Sequence, residues 1–282
     1  MEFKEVVGRR RSIRFFLPWR PVEREKVQTI LEVVLLAPRV MGVHFLRLVV
    51  VYRDSLSQED LEALKTPTTT AQLDMAPVYL FFFADLDALA RATDGHHLKE
   101  MIEVGALPPS HGWTPRYVDE VVIPRVYQAI LNDPDRVHLM IRRPEGPQPG
   151  PSYPVRLLNL ANTALGVAQA HALLCAFALG LGAMLTGVST PAARRILGIP
   201  DHWLPASPML LGYPAESLEA GGQRPREPFE EDFFEGRYGI PFRREQAVVE
   251  ELKSAKMIQD PAPLPWRRAE LRALAKMFGL PM

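Results

Sequence analysis

Residues 157–188, LLNLANTALGVAQAHALLCAFALGLGAMLTGV, are an almost unbroken apolar run that no stable fold leaves in water. The run exceeds the ~20 residues that cross a bilayer. Asn159, Asn162, Gln169 and His171 interrupt it, and their polar groups would be costly in lipid. In a water-soluble chain the same pattern is a helix apolar nearly all round, which must lie in a core or between subunits. The sequence therefore predicts a buried helix over 154–180 and no membrane span, followed by a strand in GLGAMLTGV.

Val22, Val27, Ile30, Leu31, Val34 and Leu35 recur at helical spacing behind Pro21, which predicts an amphipathic helix over 22–36, ended at Ala37-Pro38. FLRLVVVY (45–52) and PVYLFFFAD (77–85) are β-branched or aromatic runs too short for buried helices, and each reads as a buried strand. Helical patterns fall near 57–65, 69–75 and 190–197, and PASPMLLGYP supplies a last core strand. From about 92 to 153, prolines, glycines and histidines break the pattern and leave helix only over 116–131. One helix cannot bury a core of its own, so this stretch is expected to be a lid-like insertion in a domain spanning 1–240. The tail, 241–282, is expected to be a helical extension, with helices at 243–258 and 266–278 parted by the prolines of QDPAPLP. Ala247, Val248, Leu252 and Met257 form the apolar stripe of the first.

Lys+Arg and Asp+Glu both number 33, so the formal net charge is zero. Nucleic-acid binders usually carry a strongly basic domain; none is expected as a partner, and the arginines must act locally. The single cysteine, Cys175, cannot close an intramolecular disulfide and reads as a buried thiol in a reducing compartment. MEFKEVVGRRR lacks the apolar stretch of a signal peptide, so a cytoplasmic protein is expected.

GRRRSIRFF, residues 8–16, gathers Arg9, Arg10, Arg11, Ser12 and Arg14 at a helix boundary. Forked guanidinium donors suit phosphate, and a serine hydroxyl adds another donor. The other reading is a solvated basic face, and the cluster alone does not choose between them. His96 and His97 with Glu100 and Glu103 lack the HExxH spacing, so surface histidines and no metal are expected. A GxGxxG after a strand, a GxxxxGK[ST] and a GxSxG are all missing, which removes the signatures of dinucleotide-binding Rossmann, P-loop and α/β-hydrolase proteins.

The order of RRSIRFFLPWRPVEREKVQTILEVVLLAP, APVYLFFFAD, AQAHALLCAFALGLGAMLTG, LGIPDHWLPASPMLLGYPAE and RPREPFEE resembles the nitroreductase family of FMN-dependent flavoproteins, over roughly residues 3–90 and 155–235. The resemblance implies an α+β three-layer sandwich, a central, mostly antiparallel sheet flanked by helices, in an intertwined homodimer with one FMN at each subunit interface. It implies that Arg10, Arg11 and Ser12 reach the FMN phosphate and ribityl chain, and that Arg14 lies at the pyrimidine edge of the ring. A fixed cation there would stabilise the charge that reduction brings. Thr186 and Gly187 match the stretch whose backbone approaches flavin N5, and Arg224 and Arg226 match the basic residues that close the phosphate site. The implied activity is a ping-pong oxidoreductase: NADH or NADPH reduces the flavin, and a nitroaromatic, quinone or enone reoxidises it, with no side chain required as a catalytic acid.

Where the family commonly reads APSxxNxQPW, this chain reads APRVMGVHFL, with Arg39, Gly42 and His44 in place of serine, asparagine and glutamine. His44 is the candidate to replace one lost donor to the ring; opening an apolar strand, it also reads as a hydrogen-bonded structural histidine. The altered loop keeps a second function open: a protein of this fold that binds a flavin, a corrinoid-like ligand or a protein partner without turnover.

Overall fold

PVYLFFFAD is apolar on both faces, and the fold covers both. The structure is a computed structural model and describes residues 2–143 and 146–281. In chain order its elements are α1 (Phe3–Arg9), α2 (Arg24–Leu35), β1 (Leu46–Tyr52), α3 (Gln58–Leu64), α4 (Thr70–Met75), β2 (Val78–Asp85), α5 (Ala88–Arg91), α6 (His96–Glu103) and α7 (Pro115–Tyr117). A π-helical stretch, Val118–Tyr127, leads into α8 (Gln128–Leu131), β3 (Arg136–Arg143), β4 (Gly146–Pro154), α9 (Val155–Ala178), β5 (Gly182–Leu185), α10 (Thr190–Leu197), β6 (Trp203–Pro205) and β7 (Met209–Gly212). The tail holds α11 (Phe229–Asp232), α12 (Gln246–Ser254) and α13 (Arg267–Phe278).

β1, β2, β7 and β5 lie side by side in that order, with β6 also paired to β2, and every ladder of this five-stranded sheet is antiparallel. Successive strand side chains point to opposite faces. Val78, Leu80, Phe82 and Ala84 of β2 accordingly join one apolar cluster with residues of α2 and α9. Tyr79, Phe81 and Phe83 join a second, with Leu61, Leu64, Leu73 and Ala193 from α3, α4 and α10. The result is the expected α+β sandwich of helix, sheet and helix. α9 is long and apolar enough to cross a membrane. It packs instead over the sheet, burying Leu157, Ala161, Leu165, Ala168, Ala172 and Phe177. Its buried Gln169 donates from Nε2 to the Ser207 carbonyl at 2.7 Å, which satisfies the amide inside the core.

The N-terminal segment reaches the sheet at β5. Ser12 makes a single parallel bridge to Ala183, and the Ile13 N–H donates to the Ala183 carbonyl at 3.1 Å. A Cβ on Gly182 would lie 2.8 Å from Cγ2 of Ile13, so the bare glycine permits this approach.

The stretch over 92–153 carries more structure than its breakers predict. His96 and His97 lie on α6, and β3 pairs with β4 in a separate two-stranded sheet. Pro147 and Pro149 are two residues apart, so both turn their missing N–H to the same side of β4, away from the ladder. Residues 144 and 145, inside the RRPEGPQPGPSYP break, lie outside the described residues. The predicted helix over 116–131 is π-helical at its centre, around Pro124, where a proline removes an ordinary helical donor. Leu98, Val118, Val122, Tyr127, Ile130 and Tyr153 bury themselves in the main cluster. β6 escaped the sequence reading because three residues carry no period. In α12 the inward face is that of Val249 and Leu252, an i, i+3 pair, while Ala247 and Val248 are exposed.

The tail folds back on α1. A Cβ on Gly8 would sit 2.3 Å from both the Lys256 carbonyl oxygen and the Met257 Cα. Gly8→Ala is expected to expel the tail, at a cost of about 1–3 kcal/mol, although alanine favours the helix itself. Limited trypsinolysis followed by mass spectrometry should show faster cleavage at Lys253 and Lys256 in the variant.

Candidate functional site

Arg9 ends α1, and Arg10 and Arg11 follow it, where the helix dipole favours cations. The three do different work. Arg9 pairs with Glu5 at 2.7 Å. Arg11 is buried and spends its donors on the chain: Nε on Gly222 O (3.0 Å), Nη1 on Gly8 O (2.6 Å) and Arg10 O (3.0 Å), Nη2 on Gln259 Oε1 (2.9 Å). The Arg10 and Arg226 guanidiniums donate to no described residue.

Burial lowers the proton affinity of Arg10, and the nearby charge of Arg226 lowers it further. Arg11 is lowered by burial, then by Arg10, with Arg226 and Arg9 adding and Glu219 opposing. Positive charge from Arg10, Arg11 and Arg226 thus gathers at this edge, and an anion would relieve it. Ser12 lies beside them, and its carbonyl accepts from Nη1 of the exposed Arg14 at 3.0 Å. Arg224, two residues before Arg226, is exposed.

About 10 Å of strand separates Ala183, the partner of Ser12, from Thr186. Thr186 is buried, and its N–H is committed to the Pro208 carbonyl at 3.0 Å. Gly187 is exposed, its N–H donates to no described residue, and a Cβ there would meet nothing within 4 Å. The two residues line a cleft of about 210 Å³ with Phe81, Phe83, Arg194 and Ser207. Gly187 is thus the one of the pair with an amide to offer a ligand.

His44 is not brought to the arginines within one protomer. It precedes β1, whose first residue faces the end of β2, whereas Ser12 sits beside β5 at the level where β2 begins. β1 and β5 end the strand path on opposite sides. Partial burial pushes the His44 pKa down, and the charges of Arg39, Arg47 and His97 push it further against Asp85. His96 and His97 face Glu100 at 3.2 and 3.5 Å. Among the described residues no group of three or more His, Cys, Asp or Glu is placed to hold a metal.

The sequence reading missed the residues that hold the arginine segment in place. Glu216 accepts the N–H of Arg14 at 2.5 Å and of Phe15 at 3.1 Å on one carboxylate oxygen. Its other oxygen lies 2.7 Å from Nη2 of Arg267, whose Nη1 lies 2.6 Å from Glu270. Burial pulls the Arg267 pKa down, but the hydrogen bond to Glu270 and the carboxylate charge of Glu216 outweigh it, and the net shift is upward. Glu216 stands in LGYPAE, a legible motif; nothing local marks Arg267 as its partner.

A family model described as "Nitroreductase family" matches residues 7–213. A curated NADH dehydrogenase of Thermus thermophilus is 29% identical over 218 residues, covering 77% of this chain and 88% of its own length. A protein of Exiguobacterium sibiricum, assigned as a nitroreductase and crystallised in complex with FMN, has a TM-score of 0.57 at 20% identity, covering 81% of this chain and 94% of its own. A protein of Staphylococcus epidermidis assigned as an NAD(P)H:FMN oxidoreductase has a TM-score of 0.57 at 18% identity, covering 80% and 92%. These solved structures share the fold.

Two outcomes follow from the site's charges. Inorganic phosphate at ten times its Kd should stabilise the wild-type chain by about 1.4 kcal/mol; a thermal shift at constant ionic strength should show Arg10→Gln and Arg226→Gln each losing most of that increment. For His44, the folded value lies below the ordinary 6.5, so the unfolded chain takes up the proton first as pH falls. The stability present above that value is lost as pH drops through the folded value, and His44→Gln should flatten this part of the Tm-against-pH curve.

Proposed function

The chain belongs to the nitroreductase family, and from that premise we propose that it is an FMN-dependent NAD(P)H oxidoreductase that reduces a small electron-poor molecule. The observation that carries this reading is the Arg10–Arg226 pair: two cations with uncommitted donors, beside Ser12 and on the path to the open amide of Gly187. Bound FMN supplies hydride transfer between a nicotinamide donor and the acceptor.

The protein's own groups bind, orient and tune. Arg10 and Arg226 bind the phosphate, with Ser12 as a further donor and Arg224 at the rim. Arg11 braces Arg10 from below through the Arg10 carbonyl. Arg14 presents its cation to the pyrimidine edge, where it favours the reduced, negatively charged ring and raises its potential. Gly187, with Thr186 fixed behind it, lets the backbone pass close to the reacting face.

Two further features support a homodimer with the site between subunits. His44 lies diagonally across the sheet from Ser12, so a partner's 39–46 loop is the one that reaches the ring. Leu35 and Leu36 at the end of α2 are 54% and 80% exposed, and Asn162, Gly166 and Ala170 of α9, the helix that packs against α2, are exposed as well, offering a face for a second copy. The 92–153 insertion, part of the 1–240 domain, borders the acceptor pocket: β3 packs near α10, whose Thr190, Ala193 and Arg194 line the cleft with Gly187. Nitroaromatics, quinones and enones are the acceptor classes, NADH or NADPH the donor, and the cytoplasm the compartment.

The visible spectrum of the purified chain, after incubation with FMN and desalting, should retain a flavin band, and NADH or NADPH should then be consumed steadily with menadione. Flavin without turnover would favour the non-catalytic reading; no flavin uptake would end the proposal. Arg10→Ala with Arg14→Ala removes two charge-assisted contacts of about 1.5–3 kcal/mol each, so FMN affinity should fall about 10²–10⁴-fold in a fluorescence titration.

A further inference from the structure

We propose, on the premise that residues 10–14 hold FMN, that the C-terminal tail is a positioning element of that site, acting on the Arg14 backbone through Glu216 and Arg267. The family match ends at residue 213, so Glu216, Gln259, Arg267 and Glu270 all lie beyond it.

The segment between α1 and α2 has no regular structure to stiffen it. One side is tied to β5 at Ser12 and Ile13. The other is tied at the N–H groups of Arg14 and Phe15, and both go to a single carboxylate oxygen of Glu216. The aim of the Arg14 side chain therefore follows the place of that carboxylate.

The Glu216 side chain is fully buried, and a buried carboxylate keeps its charge only when paired. Arg267 of α13 makes that pair and is itself held by Glu270, whose other oxygen accepts the Ser217 N–H at 2.7 Å. The contacts close a ring: segment 14–15, Glu216, Arg267, Glu270, and back to the residue after Glu216. Three other ties join the same pieces. Arg11 donates to Gln259 and Gly222. Gln223 donates to the Met257 carbonyl at 2.9 Å. Phe278 at the end of α13 stacks on Phe15 and Trp19 with centroids 6.2 Å apart.

Losing the guanidinium would leave Glu216 a buried charge without its cation. The carboxylate must then take a proton or turn outward, and either change weakens its hold on the two amides.

The test compares the full-length wild type with Arg267→Met and Arg267→Lys, using amide hydrogen exchange of the flavin-free chains and FMN titration. Arg267→Met is expected to speed exchange selectively at Arg14 and Phe15, to weaken FMN at least tenfold, and to make the bound flavin's midpoint potential more negative; Arg267→Lys should restore most of each. Unchanged exchange at those amides would overturn the proposal. So would a rise spread equally over β5 and β7, which marks a merely structural residue. If the wild type itself takes no FMN while Arg267→Met still loosens Arg14 and Phe15 alone, the FMN reading fails and the positioning role stands. Should Arg267→Met not fold, Glu216→Gln, which keeps an acceptor but loses the charge, takes its place in the same measurements.

Discussion

A strand that is apolar on both faces needs two covers, and nearly everything else in this chain follows from that requirement at β2. Its eight residues are all buried, and alternation sends them into two separate clusters. One cover is the long apolar helix α9 with α2; the other is the group of shorter helices α3, α4 and α10. The sheet is thereby covered on both faces, with a cleft left between Phe81 and Phe83 of β2 and the Thr186–Gly187 segment. The chain places its charges at the sheet's edges: the arginines beside β5, and the loop of His44 ahead of β1.

The arginine edge is held together by pairing that the arginines themselves do not supply. Positive charge from Arg10, Arg11 and Arg226 gathers there, and a cluster of like charges persists only where other contacts fix it in place. Arg11 spends its guanidinium on carbonyls and Gln259, and Glu216 captures two backbone amides under the ion pair with Arg267. The arginines thus differ in their commitments: Arg11 is bonded to the chain, and Arg10 and Arg226 donate to no described residue. Residue type does not distinguish the two, since Arg10 and Arg11 are adjacent and identical.

Local pattern reaches a definite distance. The strands at 45–52 and 77–85, the helices at 22–36 and 154–180 and the antiparallel sandwich were legible because period-2 and period-3.6 burial is written into consecutive residues. The hairpin β3–β4 was hidden by prolines that read as breakers, yet two prolines two residues apart are compatible with one free edge. β6 was too short to carry a period. The inward face of α12 depended on helix phase, and the exposed Val248 beside the buried Val249 shows how one position changes the outcome.

The sequence by itself determined the main strands of the sheet, the long apolar helix that packs over it, and the presence of an arginine segment at the end of α1, because each depends on residues close in the chain. Only the tertiary structure decided which arginines remain available to a ligand, that Gly187 rather than Thr186 has an uncommitted amide, that His44 lies across the sheet from Ser12, and that α13 supports the Arg14 backbone. Those outcomes rest on contacts between residues up to about 250 positions apart, such as Arg11 with Gln259. Hydrogen bonds and ion pairs of that range leave no periodic trace in a single chain; they exist once the core has brought their partners together.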